Sequence, residues 1–313
     1  MARYVVSRLA SSVVVVFVVA AIVFGLTAIS AGDPALIFAG DNASEADLAA
    51  VRERMGLDRP LAVRFFSWAT EIASGNLGQS LFTGRPVLAL IGQRVQPTVV
   101  LALATILFSL LMAIPIGTIA ALKPDSSFDR AVMSVSSLAF ATPGFIVGYI
   151  LVYVFALRLG WLPVQGYRPL SAGLGGTLQS IALPCLTLSF VYIALLARTT
   201  RAALIEVLSQ DFIRSAKARG AGTARLVIHH ALRNATNSIS TVVGLGIASM
   251  LGGVTIVETV FGIPGLGRLT VDGILNRDFP VIQALILLSA SVKIVVNLLI
   301  DLSYPFVDPR IQL

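Results

Sequence analysis

Long stretches without a charge alternate along this chain with short, arginine-rich polar intervals. From residue 9 to 31 no charged side chain interrupts a run that contains VVVVFVVAAIVFGLTAIS. Comparable runs occupy residues 98–122, 131–157, 178–197, 235–257 and 281–304, the last interrupted by Lys293 and Asp301. An α-helix rises about 1.5 Å per residue, so about 20 apolar residues cross the hydrocarbon core of a bilayer. The pattern predicts an all-α integral membrane protein with six transmembrane helices. Arg3 and Arg8 ahead of the first run give it the outline of a signal peptide, but it is longer than a usual signal core and more spans follow, so an uncleaved helix is expected. Pro115, Pro143 and Pro184 fall inside predicted spans, which lipid-embedded helices tolerate when neighbours satisfy the freed carbonyls.

The polar intervals carry the remaining organisation. Residues 1–31 are read as the first span, 32–97 as an external loop region, and 98–313 as a membrane core that contains a cytoplasmic loop at 207–237. In the external region a short helix from Glu45 to Met55, capped by Ser44, is expected, with turns at Gly75, Gly78, Gly84 and Pro86. The 207–237 interval predicts a short helix, a glycine stop and a second helix. Ser209 is the expected cap, Asp211 lies in the first turn, Lys217 and Arg219 in the last, and Gly220 where a left-handed residue would end it. Phe212, Ile213 and Ala216 are expected on one apolar face, opposite Arg214 and Lys217.

Composition sharpens this picture. Hydrophobic residues make up 56% of the 313 positions and charged residues 12%, with a mean hydropathy of +0.88; water-soluble domains carry about twice that share of charge. The net charge of +7 does not indicate nucleic acid, because the arginines are spread over many loops with no interleaved aromatic platform. Arginine bias sets the orientation instead. With the N-terminus cytoplasmic, the inside segments 1–8, 123–130, 198–233 and the tail after Pro305 hold twelve Lys or Arg, against ten in longer outside segments. Both termini are therefore expected in the cytoplasm.

Candidate chemistry is sparse. A phosphate-binding loop needs Gly-Lys followed by Ser or Thr, and Lys123, Lys217 and Lys293 are preceded by Leu, Ala and Val. His229 and His230 are adjacent, so they diverge on a helix and do not make a paired metal site. Cys185, the single cysteine, sits in an apolar run. Neither catalytic residues nor a cofactor or metal site are expected in the chain. Lys293, Asn297 and Asp301 line one face of the last helix, read as a helix-packing face in preference to a proton relay. Glu258 ends the fifth span and is expected to pair with a neighbour, and the glycines that follow it offer a weak signal for an anion-binding nest.

Several motifs together resemble one family. ETVFGIPGLGRL from Glu258, followed by NRDFPVIQA, is similar to the permease subunits of binding-protein-dependent ATP-binding-cassette importers of the dipeptide, oligopeptide and nickel branch. GLDRPLAVRF, GNLGQSLFTGRPV, LGWLP, SAKARGAG with HALRNA, and DPRI resemble the same branch, so the resemblance covers nearly the whole chain. It implies a type I importer permease fold in the inner membrane, forming a path for peptides with a second, homologous permease. Two cytoplasmic ATP-binding subunits, which would bind ATP and Mg, and an external substrate-binding protein are the implied partners. The alternatives are nickel complexes, glutathione or sugars on the same machinery, or a channel or secondary transporter.

The resemblance also assigns roles. Asp211, Phe212, Arg214, Ala216, Lys217, Ala218, Arg219 and Gly220 correspond to the loop that couples to the ATPase. Glu258, Phe261, Gly262, Pro264, Gly265, Gly267 and Arg268 form a family motif expected on the outer side. Two departures stand out: Arg214, Ser215 and Ala216 occupy the positions of a Glu-Ala-Ala pattern, and His230–Arg233 reads HALR where the general pattern has leucine-proline. The branch usually has an uncharged residue at the position of Lys293.

Overall fold

The structure is a computed structural model that describes residues 2–30, 44–54 and 56–307. Among those residues it is all-helical, apart from an isolated bridge between Gln79 and Pro86. The chain divides into two compact units, 97–267 with 295–307, and 2–96 with 268–294.

In the second of these units, α1 (Ala2–Ser30) contains an apolar span, Val6–Leu26, of which only 6% is buried by the rest of the chain. α2 (Glu45–Arg54) begins as expected at Ser44, whose Oγ accepts from the Asp47 backbone N–H at 3.2 Å. Asp47 accepts in return from the Ser44 hydroxyl and amide, a reciprocal cap that holds its carboxyl below the usual carboxylate range. α3 (Leu61–Ala73) packs against α1 through Phe65 and Trp68. Its presence makes the interval after α1 more helical than a loop reading suggests.

The first unit holds the long helices. α4 (Val87–Leu122) runs 36 residues, about 54 Å, with Pro97 and Pro115 inside it. The expected span at 98–122 is thus the later part of a helix that starts eleven residues earlier. The expected straight span at 131–157 is instead two helices, α5 (Ser127–Ala141) and α6 (Gly144–Leu151), bent by 105° and continued by a π-helical stretch, Val152–Arg158. Pro143 causes the break: it disfavours helical geometry at Thr142, which is extended at φ −99°, ψ 120°.

α7 (Leu174–Leu208) passes over Pro184 unbroken and carries Arg198, Arg201 and Glu206 beyond its apolar part. α8 (Asp211–Ala218) follows, then a helical and π-helical entry at 223–231 into α9 (Leu232–Val260). α10 (Leu266–Leu275) and α11 (Phe279–Val307) complete the chain. Four helices are long and apolar enough to cross a membrane among the described residues, or six if the α5–α6 pair and the bent α9 each count as one span. The core centres on Leu101, Ile181, Leu183, Leu188, Met250, Val254 and Phe261, so α4, α7 and α9 supply most of it.

Candidate functional site

The basic 207–237 interval folds on itself. Ile213 and Ala216 of α8 bury to 5% and 3% against Leu226, with Leu208 and Ala221 packed around them. Gly220 adopts φ +86°, its N–H donating to the Lys217 carbonyl at 3.0 Å, while the Ala221 N–H donates to the Ala216 carbonyl at 3.2 Å. This is the paired hydrogen-bond pattern of a Schellman stop, and the Ala216–Ala221 contact is its usual apolar partner. The helix, stop and second helix expected from the local spacing are all present.

Two details differ. Ser209 is not the cap of α8: its backbone is still helical and its Oγ donates back to the Glu206 carbonyl at 2.7 Å, so it ends α7. Gln210, extended at ψ 152°, holds the N-cap position without a side-chain bond. Phe212 does not join the apolar face either and is 39% exposed. Successive helical residues point about 100° apart, and the packing against Leu226 selects the Ile213–Ala216 edge. Asp211, Arg214, Lys217, Ala218 and Arg219 are exposed; the 3.5 Å Asp211–Arg214 pair, solvated on both sides, fixes little. An apolar side turned inward thus leaves a polar, basic face with one aromatic ring outward.

The family motif at Glu258 is the inverse case. α9 also ends in a Schellman stop, with Gly262 at φ +62°, its N–H on Thr259 at 3.4 Å and the Ile263 N–H on Glu258 at 2.9 Å. Here the residues are packed: Glu258 is fully buried, Phe261 is 1% exposed, and Gly265 and Gly267 are buried, with Pro264 half-buried just before them. Thr98 Oγ1 donates to Glu258 Oε1 at 2.6 Å and accepts the Leu266 N–H, the first amide of α10, at 2.8 Å. The buried carboxylate therefore sits near a helix N-terminus, where the dipole favours it. Added methyls at Gly265 and Gly267 would fall on the Glu258 carboxylate and the Thr255 backbone. The loop before α7 closes the end of α9, Gly166 N–H and Gln165 Nε2 donating to the Phe261 and Val260 carbonyls. The Gly262, Ile263, Gly265 and Leu266 amides all donate to protein acceptors, so the glycines serve close packing and not an anion-binding nest. Arg268 follows within α10, half-buried.

Other polar joints were not evident from the sequence. Ser126 caps α5 by accepting from the Asp129 N–H, and buried Asp129 makes a two-point ion pair with Arg201 of α7, its Oδ2 accepting from Arg201 Nη2 at 2.6 Å. The Ser-x-x-Asp spacing was the available signal. In the other unit, Asp278 accepts from the Ser80 hydroxyl at 2.5 Å and the Leu81 amide at 3.1 Å, joining GNLGQSLFTGRPV to NRDFP. Lys293 and Asn297 are exposed among the described residues, and the side chain of Asp301 lies outside them. A recess of about 280 Å³ beside the α5–α6 bend is lined by Phe145, Thr187, Val191, Tyr192, Met250 and Ile256 and is almost wholly apolar.

Among the described residues, four to six helices long and apolar enough to cross a membrane, with a self-packed basic helix-turn-helix between two of them, define an integral membrane protein. Residues 113–313 match the binding-protein-dependent transport system inner membrane component family, and residues 1–102 match the N-terminal part of that family's membrane components. The chain belongs to this family, and is an inner-membrane permease of a peptide-type ATP-binding-cassette importer. It is 44% identical to a protein of Sinorhizobium fredii named as a peptide ABC transporter permease, over 100% of both chains. It is 36% identical to a peptide transport system permease protein of Brucella abortus and 37% identical to the glutathione transport system permease of Escherichia coli, each over 100% of this chain and 99% of the relative. The fold resembles the crystal structure of an amino acid ABC transporter with histidines, at a TM-score of 0.54 and 16% identity, over 69% of this chain and 92% of that one.

Proposed function

We propose that this chain pairs with a second permease to form the path by which an ATP-driven importer carries peptides inward, and that residues 211–220 receive the motion of cytoplasmic ATPases. The observation that carries the coupling role is the α8 module, whose internal packing and Schellman stop make a rigid knob with an exposed face. ATP and Mg belong to the ATPase subunits, and an external binding protein delivers substrate. The relatives named for peptides favour peptide cargo, and the relative named for glutathione, itself a tripeptide, favours glutathione over nickel or sugars among the alternatives.

The geometry supports six crossings with both termini inside. The start of α5 pairs with Arg201, while the loop after α6 meets α7 near its beginning, where Ser180 Oγ accepts from the Arg168 N–H at 3.2 Å. Arg201 and Ser180 are 21 residues apart on one helix, about 32 Å. That matches the hydrocarbon thickness, so the bent pair traverses α7's length and counts as one crossing.

The test is cross-linking in the assembled transporter. A cysteine at exposed Ala218 should cross-link to the ATPase, and the purified permease alone should hydrolyse no ATP. No cross-link at Ala218 in a transport-competent complex would remove the segment from the coupling mechanism.

A further inference from the structure

The helix α3 belongs to a stretch that the sequence assigns to the aqueous outside, yet its contacts put it at membrane depth. Phe65 lies between Phe17 and Phe24 of α1, with ring centroids 5.6 and 5.5 Å away, and Trp68 lies 5.3 Å from Phe24. The apolar span of α1 is Val6–Leu26, 21 residues or about 31 Å, the thickness of the hydrocarbon core. With Leu26 at its outer edge and α1 upright, Phe24 is about 3 Å and Phe17 about 14 Å below that edge. Phe65, touching both, therefore sits about 8 Å deep, and Trp68 lies close to the headgroup level where tryptophan concentrates.

The rest of α3 fits that position. Val63 and Phe66 are 48% and 60% exposed and project to the same side of the helix, away from the rings that meet α1. Arg64, Ser67 and Glu71 recur at helical spacing in one narrow polar stripe, and the Thr70 hydroxyl is turned back onto the Ser67 carbonyl at 2.7 Å. A soluble helix exposing this surface beside a lipid-facing span would leave it in water without cover. An amphipathic helix in the interfacial plane, its apolar part about 5–10 Å into the headgroup–acyl boundary, has this composition and depth.

We infer that α3 is an interfacial helix whose exposed apolar side, Val63 and Phe66, is covered by acyl chains of the outer leaflet continuous with those around α1. This rests on α1 spanning the membrane but not on the identity of the cargo or on the coupling role of α8. The region after α1 is then anchored in the lipid surface through a 13-residue helix.

Spin labels read the cover directly. The assembled transporter is reconstituted in phosphatidylcholine vesicles with single cysteines at Val63, Phe66, Ser67 or Glu71, in a Cys185→Ala background. Dissolved oxygen should relax labels at 63 and 66 several-fold more than a water-soluble nickel complex does, with the preference reversed at 67 and 71. Equal access of nickel to all four positions would place the helix in water. Access of neither reagent to 63 and 66 would mean that a protein covers this side, and either result overturns the inference. If a label at 66 prevents assembly, Trp68 alone in a Trp161→Phe chain should be quenched by brominated acyl chains; quenching by aqueous iodide instead would overturn it.

Discussion

The helices that end at Arg219 and Phe261 stop with the same pair of backbone hydrogen bonds and the same left-handed glycine, yet their surroundings have nothing in common. Around Gly220 an added Cβ meets no atom within 4 Å, and only the inner edge of α8 is packed. Around Gly262 the neighbours are packed: Glu258 and Phe261 before it are buried, Gln165 lies 3.5 Å from an added Cβ, and Gly265 and Gly267 after it leave no room for a side chain. The same local device makes a rigid corner in one place and a rigid protrusion in the other. The difference lies in what reaches the stop from elsewhere in the chain, Thr98 and the 165–166 loop at Gly262 and nothing at Gly220.

If this contrast is right, the largest effect comes from the packed stop. Gly267→Ala sets a methyl against the Thr255 backbone, which no rotamer change relieves. Overpacking of this kind costs about 1–3 kcal/mol, and the upper end is expected here. Purified Gly267→Ala protein should melt several degrees lower or fail to assemble in the membrane, as monitored by size-exclusion chromatography and thermal denaturation in detergent. Wild-type behaviour would mean that the corner is far looser than its burial indicates.

Next in size is the bond that ties the corner together. Thr98→Val keeps the shape but removes the hydroxyl that bonds both Glu258 Oε1 and the Leu266 N–H. Buried hydrogen bonds contribute about 0.5–1.5 kcal/mol each, and about 1.5–3 kcal/mol to a charged group, so a loss near 2 kcal/mol is expected, while Thr98→Ser should restore most of it. Equal melting of the Val and Ser variants would show that the hydroxyl is not the stabilising element.

The two stops also mark how far the sequence could be read. Gly220 was legible because a Schellman stop is set within six residues, as the Ser44–Asp47 cap was within four. The break at Pro143 was not, because a proline in a span bends or passes according to its neighbours: Pro115 and Pro184 sit in unbroken helices. Glu258 was expected to pair with a neighbour, but its partner Thr98 lies 160 positions away. Nothing local links Ser80 to Asp278 or Asp129 to Arg201. Phe212 was misplaced because spacing alone gives a broad apolar face, and Leu226, which selects its buried edge, comes from the next helix.

The smallest structural effect should accompany the sharpest functional one, at Gly220. A β-branched residue in the left-handed region costs about 1–2 kcal/mol, and no neighbour adds to it, because the space around the Cβ is open. Gly220→Val should therefore insert and assemble with its partner permease, with melting shifted less than in either variant above. The strain is relieved by unwinding the last turn of α8, which moves Ala218 and Arg219, the exposed residues nearest the stop. Transport and binding-protein-stimulated ATP hydrolysis should fall together, and the Ala218 cross-link to the ATPase should weaken. Asparagine enters the left-handed region more readily than any other non-glycine residue, so Gly220→Asn should retain most of the transport. That pairing separates backbone geometry from bulk: a solvated loop without a mechanical role predicts normal uptake in both variants. A requirement for open space predicts loss in both. Loss in Val with retention in Asn is the outcome expected if the stop holds α8 rigid against the ATPase.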